Sequence, residues 1–136
     1  IVPIMFDKFK NNEILHIFGA DYDTEDGTCE RDYVDVNDIV EVIMRYIEKY
    51  ERDYTVLDIV NIGHGKPVSV FQLVEKFNEM FATETHTLNY VINNRRLGDL
   101  ASSYCDNSEL IRSLGFTPQI TLEESLRSSY NYYKTK

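Results

Sequence analysis

The alternation of short β-branched segments with amphipathic helical segments is the feature that most constrains how this chain folds. Residues 14–18, 56–62 and 88–92 have strand composition, and apolar patterns of helical period lie between them. Such an alternation predicts a small mixed α/β domain rather than a helical bundle or a β-sandwich. Because so few strands cannot complete a doubly wound sheet, we expect residues 1–136 to be one part of a longer α/β protein.

Several helices are predicted from their caps and their periodicity. Two capping boxes, Ser-x-x-Gln from Ser69 and Thr-x-x-Glu from Thr121, predict helices that begin there. Asn37 or Asp38 is expected to cap another helix, and the apolar face of that helix is formed by Ile39, Val40, Ile43, Met44 and Ile47.

The remaining segments complete the predicted layout. Residues 1–12 have the pattern of a helix end, and residues 106–114 form a short helix that Gly115 closes. Residues 19–29 are an acidic loop, and residues 31–36 alternate charged and apolar side chains as a half-buried strand does.

Composition excludes several classes of function. Fourteen basic against 23 acidic residues give a net charge of −9, which disfavours a nucleic-acid surface. No apolar run approaches the length of a membrane span, so no membrane partner is expected. The two cysteines, Cys29 and Cys105, are read as reduced thiols of a cytoplasmic protein, and no metal site is expected. The first residue is Ile1 rather than methionine, which we interpret as the start of a fragment.

Two arginine-containing segments are the candidate binding elements. In residues 95–99, the adjacent Arg95 and Arg96 could bind a diphosphate, and Asp99 could accept hydrogen bonds from a ribose or orient a neighbouring arginine. A surface ion pair at a turn has the same pattern. Arg31 and Tyr33 are two residues apart and therefore share a face. Arg31 could bind phosphate beside this aromatic ring, or it could form a salt bridge with the acidic side chains of Asp23, Glu25 or Asp26.

Three motif-like stretches are rejected. Residues 21–27 lack the glycine position of a calcium loop, and residues 63–66 lack the spacing of a phosphate loop and are predicted to be a turn. Tyr130 and Lys134 have the spacing of a short-chain dehydrogenase catalytic pair. No glycine-rich nucleotide motif precedes them, so we assign them to aromatic helix packing and predict no catalytic residue in this chain.

The order and wording of these segments closely resemble the UDP-glucose 4-epimerases of the extended short-chain dehydrogenase superfamily, over the whole chain. The resemblance is carried by Phe-Gly-Ala-Asp-Tyr-Asp-Thr-Glu-Asp-Gly-Thr from Phe18 and by Arg-Asp-Tyr-Val from Arg31. It continues in residues 61–65, 69–70, 95–99 and 114–118. It implies the C-terminal, UDP-sugar-binding lobe of a Rossmann-type enzyme, with residues 1–136 as that lobe.

The resemblance also implies roles for individual residues. Arg31 and Arg96 match arginines that bind the diphosphate, and Asp99 matches the acid that binds the uridine ribose. Phe18 and Tyr33 fall where the family lines the uridine and diphosphate site.

A further match concerns the sugar pocket. Ser103 matches the residue that gates the hexose pocket, and its small size implies room for an N-acetyl group, as in UDP-GlcNAc. The sequence departs from the family at Glu30, next to Arg31, and at Asp35, where a histidine is usual.

For the intact protein, the resemblance implies an NAD-dependent UDP-glucose/UDP-galactose 4-epimerase and a homodimer. Its NAD-binding domain and its catalytic residues are expected upstream of this chain. The chain alone is therefore expected to be inactive, and a monomeric state is compatible with the resemblance. Two alternatives stay open: a lobe of a related nucleotide-sugar dehydratase or decarboxylase, and a stand-alone UDP-sugar-binding module.

Overall fold

The computed structural model describes residues 1–50 and 59–135. Its helices are α1 (Val2–Lys10), α2 (Val36–Tyr50), α3 (Val70–Phe81), α4 (Ser108–Leu114) and α5 (Leu122–Lys134). Its strands are β1 (Leu15–Phe18), β2 (Glu30–Arg31), β3 (Val68–Ser69), β4 (Tyr90–Asn93) and β5 (Ser102–Ser103). The mixed α/β class predicted from the sequence is confirmed.

Two small sheets place the loops that carry the candidate residues. β1 and β4 are parallel and in register from Leu15 opposite Tyr90 to Phe18 opposite Asn93. The carboxyl ends of parallel strands meet at one edge, so the loops that follow these two strands are neighbours. In the second sheet β2 lies between β3, to which it is antiparallel, and β5, to which it is parallel.

Most of the apolar interior is one cluster, which we call the main core. It joins α1, β1, α3 and α5 and contains the buried residues Met5, Phe6, Leu15, Ile17, Val70, Leu73, Val74, Phe77, Leu88 and Leu126. A second cluster, which we call the small core, packs α2 against α4 through Val42, Leu110 and Phe116.

The predicted helix ends are largely confirmed. The Ser69 hydroxyl accepts the Gln72 backbone N–H at 3.0 Å, and the Gln72 side chain returns a bond to the Ser69 N–H. The same reciprocal pair links Thr121 and Glu124 at the start of α5. Gly115 closes α4 at φ +60°, as predicted.

Two local predictions around β2 and α2 are wrong. The strand expected over residues 31–36 ends at Arg31, because the next carboxylate, that of Asp32, is bonded to a distant turn described below. Helix α2 is capped by Asp35, whose Oδ1 accepts the Asn37 N–H at 2.8 Å, and not by Asn37 or Asp38. Asp38 lies inside the helix and accepts the backbone N–H groups of residues 119 and 120, each at 3.0 Å.

The predicted apolar face of α2 has the expected spacing but is not the face that this structure covers. The covered side chain is Val42, only 1% exposed, because it packs against Leu110 and Phe116. The strand predicted over residues 56–62 is only partly testable, since residues 56–58 lie outside the described residues. The described remainder, 59–62, forms no strand.

Candidate functional site

The sequence-predicted residues are divided between two cavities. The first, which we call the Phe18 cavity, has a volume of about 180 Å³ and is lined by Phe18, Arg96 and Asp99, with apolar side chains of α1, β1 and α3 around them. The second, which we call the Arg31 cavity, has a volume of about 460 Å³ and is lined by Arg31, Asp32 and Ser103 together with residues 61–62 and 104–106.

The parallel pairing of β1 and β4 brings Phe18 and Arg96 together. The ladder continues one step beyond Phe18, where the Gly19 N–H donates to the Asn93 carbonyl at 2.9 Å. The loop after β4 then turns back across β1, and the Arg96 guanidinium lies 3.7 Å from the centroid of the Phe18 ring. This cation–π contact holds a positive charge at the cavity, whose other lining side chains are mostly apolar.

The two adjacent arginines have different roles in the fold. Arg95 is bound to Asp21 by an ion pair of 2.6 Å, and its guanidinium lies 4.3 Å over the ring of Tyr22. Arg96 has no acidic partner among the described residues. Of the two, Arg96 is therefore the arginine whose charge is available to an anionic ligand, a distinction that residue type alone does not make.

A tight turn places Asp99 in the same cavity as Arg96. The Asp99 N–H donates to the Arg96 carbonyl at 3.3 Å, and Gly98 between them has a φ of +88°. A residue with a side chain is strained at this angle, so glycine is what permits the turn. A carboxylate and a guanidinium thus face one small cavity from the two ends of a turn.

The Arg31 cavity is organised by the β2–β5 pairing. Arg31 is opposite Ser103 in the parallel register. Arg31 Nη1 donates to the carbonyls of Glu30 at 2.6 Å and Leu100 at 3.0 Å. Among the described residues, none of its expected acidic partners forms an ion pair with it. One of them, Asp26, instead accepts bonds from Thr28 and Ser69. No ion pair of the described residues therefore neutralises Arg31.

Tyr33 is separated from the other predicted residues. It is half-buried against the main core and lines neither cavity. Burial, reinforced by the nearby Cys29 thiol and opposed by Arg31, raises the pKa of Tyr33 to about 12. Its contribution to ligand binding stays a prediction.

Asp32 is the organising residue that the sequence analysis missed. Its carboxylate accepts the backbone N–H groups of His64 at 3.0 Å and Gly65 at 2.9 Å, and Cys105 Sγ donates to it at 3.3 Å. A Cβ on Gly63 would lie 2.5 Å from Asp32 Oδ2, so the close approach requires glycine. Asp32 thus joins the segment after β2, the turn at residues 63–65 and the segment after β5 around one cavity.

The environment of Cys105 disfavours a reactive thiolate. Burial, together with the hydrogen bond to Asp32 and the negative charge of Asp32, raises the pKa of the Cys105 thiol.

The sequence did contain a signal for the role of Asp32, namely an acid directly after Arg31 and a Gly-x-Gly turn downstream. Only the fold, however, shows that these two segments meet.

The rejected motifs have structural explanations. Tyr130 stacks on Phe81 with ring centroids 4.7 Å apart, and Lys134 Nζ lies 6.0 Å from the Tyr130 ring. Tyr130 and Lys134 border a cavity of about 400 Å³ that is lined by none of the predicted site residues.

Over residues 1–50 and 59–135, no three His, Cys, Asp or Glu side chains are grouped so as to hold a metal ion. No helix in those ranges is long and apolar enough to cross a membrane.

Comparisons with known proteins follow this geometry. Residues 1–63 match the model of the NAD dependent epimerase/dehydratase family. The chain is 35% identical over 120 residues to the UDP-glucose 4-epimerase of Haemophilus influenzae, covering 88% of this chain and 34% of that protein. It is 37% identical over 121 residues to UDP-arabinose 4-epimerase 1 of Arabidopsis thaliana, covering 88% of this chain and 28% of that protein.

The fold gives the same relationship. A crystal structure of a UDP-glucose 4-epimerase from Stenotrophomonas maltophila, with bound NAD and formylated UDP-arabinopyranose, superposes with a TM-score of 0.89. The identity is 27%, and the match covers 98% of this chain and 39% of that chain. The chain therefore spans about a third of the length of the curated relatives it matches.

Proposed function

We propose that this chain, which is similar to UDP-sugar 4-epimerases and matches the NAD dependent epimerase/dehydratase family over residues 1–63, forms the UDP-sugar-binding part of such an enzyme. The observation that carries the proposal is the meeting of Phe18, Arg96 and Asp99 in one cavity. The resemblance implies that Phe18 lines the uridine and diphosphate site, that Arg96 binds the diphosphate and that Asp99 binds the uridine ribose.

Each of these side chains has a chemistry that fits one part of a uridine diphosphate. An aromatic ring such as Phe18 offers a flat apolar face to a base. A guanidinium binds phosphate oxygens through parallel N–H donors, which suits Arg96. A carboxylate accepts hydrogen bonds from ribose hydroxyls, which suits Asp99.

Local charge decides whether a diphosphate can bind this protein. The net charge of −9 repels an anion at long range, so binding depends on arginines that no carboxylate neutralises. Arg96 and Arg31 meet that condition among the described residues. We assign both to the diphosphate, and Arg31 to its sugar-proximal side, because Arg31 shares its cavity with Ser103.

The sugar itself is the less constrained part of the proposal. Ser103 is small and exposed and borders the larger cavity, which supports a pocket with room for an N-acetyl group. We therefore propose that the intact protein acts on UDP-glucose and UDP-galactose and also on their N-acetylated counterparts. Replacing Ser103 with tyrosine is expected to remove turnover of UDP-GlcNAc while leaving turnover of UDP-glucose. Loss of both activities would contradict this role.

NAD is not assigned to this chain. Its six glycines include no Gly-x-Gly-x-x-Gly run, so the residues present do not fit a dinucleotide loop. Binding, orientation and charge neutralisation of the UDP-sugar are what the chain itself provides. We propose that the chain alone is inactive and that the cofactor belongs to a further domain of the intact enzyme.

Calorimetric titration with UDP tests the proposal by comparing the loss of Arg96 with the loss of an arginine outside both cavities. Arg96→Ala is expected to weaken UDP binding by about tenfold or more, since a charge-assisted hydrogen bond is lost. Uridine binding should change much less, because uridine has no phosphate. Arg112→Ala serves as a control on α4, where Arg112 pairs with Glu109. Absence of UDP binding by the unsubstituted, folded chain would overturn the proposed function.

A stand-alone UDP-sugar-binding module remains the second candidate. The specific observation in its favour is that both cavities are formed by described residues of this chain alone. Both candidate functions predict that the chain binds UDP, so the titration does not separate them. They differ in whether the chain also packs against further protein.

A further inference from the structure

The hydroxyl of Tyr22 is a buried polar group that has no role in the site described above. The Tyr22 side chain is 6% exposed, and its hydroxyl oxygen has no hydrogen-bond partner among the residues that the structure describes. Over residues 1–50 and 59–135, no other buried side-chain nitrogen or oxygen lacks a partner. Burying a hydroxyl without a partner costs free energy, so stability alone does not explain a tyrosine at this position.

Close contacts fix the position of the Tyr22 ring. The Tyr22 backbone N–H donates to the Gly27 carbonyl at 2.8 Å, which closes the acidic loop after β1. The Arg95 guanidinium lies 4.3 Å from the centroid of the Tyr22 ring. Gly19 has a φ of +86°, and a Cβ there would lie 2.4 Å from Tyr22 Cε2. The direction of the Tyr22 side chain is therefore set by its neighbours.

The same contacts connect Tyr22 to the turn that carries Asp99. Arg95 and Arg96, which are adjacent, lie over the rings of Tyr22 and Phe18, at 4.3 Å and 3.7 Å from the ring centroids. Two cation–π contacts thus attach the turn of residues 95–99 to the loop after β1. The Asp99 N–H donates to the Arg96 carbonyl and completes this turn. Tyr22 is therefore attached to one end of the turn, and Asp99 lies at its other end.

The electrostatic surroundings of Tyr22 agree with this placement. Burial, reinforced by the charge of Asp99 and by the Cys29 thiol, raises the pKa of Tyr22. The positive charges of Arg95 and Arg31 oppose the rise. Asp99 and Cys29 line the Phe18 cavity, and Arg31 lines the Arg31 cavity. The Tyr22 hydroxyl therefore lies within electrostatic range of both cavities.

Asp99 offers the acceptor that the Tyr22 hydroxyl lacks. The Asp99 side chain is exposed, and within the described part of the chain no donor forms a hydrogen bond with its carboxylate. Gly98, directly before it, has a φ of +88° and no atom within 4 Å of the position that a Cβ would take, so the turn has room to adjust. A fixed donor without an acceptor thus lies near an adjustable acceptor without a donor.

We propose that Tyr22 is a positioning residue of the UDP site, whose hydroxyl donates to the Asp99 carboxylate when that carboxylate binds a ribose. This inference rests on the proposed function. A carboxylate has two oxygens and can accept several hydrogen bonds, so Asp99 can accept from Tyr22 and from a ribose hydroxyl together. A bond from the fixed tyrosine orients the carboxylate, which reduces the conformational freedom that ribose binding must remove.

Replacing Tyr22 with phenylalanine tests the inference through two measurements that should change in opposite directions. Tyr22→Phe keeps the ring and removes only the hydroxyl. The urea midpoint of the chain should stay the same or rise, because a buried hydroxyl without a partner is lost. The affinity for UDP, measured by calorimetric titration, should fall about fivefold or more, because a hydrogen bond to a charged group is lost. A role of Tyr22 in packing alone would leave the affinity unchanged.

Tyr46 on α2 provides a matched control. Its hydroxyl shares a hydrogen bond of 2.7 Å with Ser113 Oγ, its ring packs on the small core, and it lines neither cavity. Tyr46→Phe should therefore lower the urea midpoint and leave UDP binding unchanged. The two tyrosines are expected to differ in both measurements. Equal UDP affinities of the Tyr22→Phe and Tyr46→Phe variants would overturn the inference.

A double variant tests whether Tyr22 acts through Asp99. When Asp99→Ala is already present, adding Tyr22→Phe should weaken UDP binding no further, because the acceptor of the hydroxyl is gone. Uridine binding should fall by a factor similar to that for UDP, because the affected group is the ribose. Full additivity of the two substitutions, or a loss with UDP that uridine does not share, would assign the hydroxyl to the diphosphate and overturn the inference.

The unsubstituted chain keeps this inference separate from the proposed function. If the unsubstituted chain and the Tyr22→Phe variant bind UDP equally well, the proposed function stands and the role of Tyr22 is overturned. If the unsubstituted, folded chain does not bind UDP, the proposed function itself is overturned, and the role of Tyr22 is overturned with it.

Discussion

The main core and the α2 side of this protein have similar helices but different surroundings. Helix α3 directs its apolar face into the main core, where Leu73 and Phe77 have no exposed surface. Helix α2 has an equally regular apolar face, yet Ile43 and Ile47 are about half exposed. The helical spacing of apolar residues therefore predicts which face of a helix can be buried. Whether this chain buries that face depends on the elements that lie next to the helix.

Truncating one side chain on each helix should give the largest contrast. Phe77→Ala removes a ring that packs against Phe6, Phe9 and Phe81 and should cost about 3–5 kcal/mol of unfolding free energy. Ile43→Ala should change it by no more than about 0.5 kcal/mol. Urea unfolding followed by circular dichroism measures both. A large loss at Ile43 would show that the isolated chain already buries this apolar face of α2.

Removing the anchor of α2 should have an intermediate effect. Asp38 is buried and accepts two backbone N–H groups from the segment before α5. Asp38→Ala leaves both donors without that acceptor and should cost about 2 kcal/mol. Asp38→Asn keeps one carbonyl oxygen and should cost less. Equal losses for the two variants would contradict the assignment of both bonds to the carboxylate.

Removing either capping box should lower the unfolding free energy by less than the loss of Asp38, and by different amounts for the two helices. Ser69→Ala removes the cap of α3 and should cost about 1 kcal/mol. It also removes a hydrogen bond to Asp26. Thr121→Ala removes a cap whose bonds are exposed, and we expect a smaller loss. Denaturation midpoints of the two variants measured side by side test this order.

The smallest effect is confined to acidic solution. Burial disfavours the charged form of Asp26, but hydrogen bonds from Ser69 and Thr28 outweigh it and hold its pKa below the ordinary 3.8. A lowered pKa in the folded state stabilises the protein above pH 3.8, and this contribution is lost as the pH falls through the lowered value. Asp26→Asn should therefore flatten the decline of the urea midpoint below pH 3.8. An unchanged slope would show that other carboxyl groups cause the decline.

The candidate site was partly predictable because several of its side chains are close together in the sequence. Residues 95–99 predict a turn whose arginines could bind phosphate, and the resemblance implies that Arg96 and Asp99 are ligands. That Arg95 pairs with an acid while Arg96 does not was not predictable from residue type. It depends on Asp21 and Tyr22, which reach this turn only through the β1–β4 pairing.

Local interactions are what the sequence by itself determined about this protein. The capping boxes at Ser69 and Thr121, the left-handed Gly115 and the helical periods were all readable, because each depends on residues within one or two turns. The mixed α/β class followed from the order of these elements.

Tertiary structure alone decided the features that depend on distant partners. The Asp32 carboxylate ended β2 early because its hydrogen-bond donors lie more than 30 residues away along the chain. Tyr33 went to the main core although it shares a strand pattern with Arg31. The side of α2 that is buried followed from where Leu110 and Phe116 lie, since burial is a property of the surroundings and not of the periodic sequence alone.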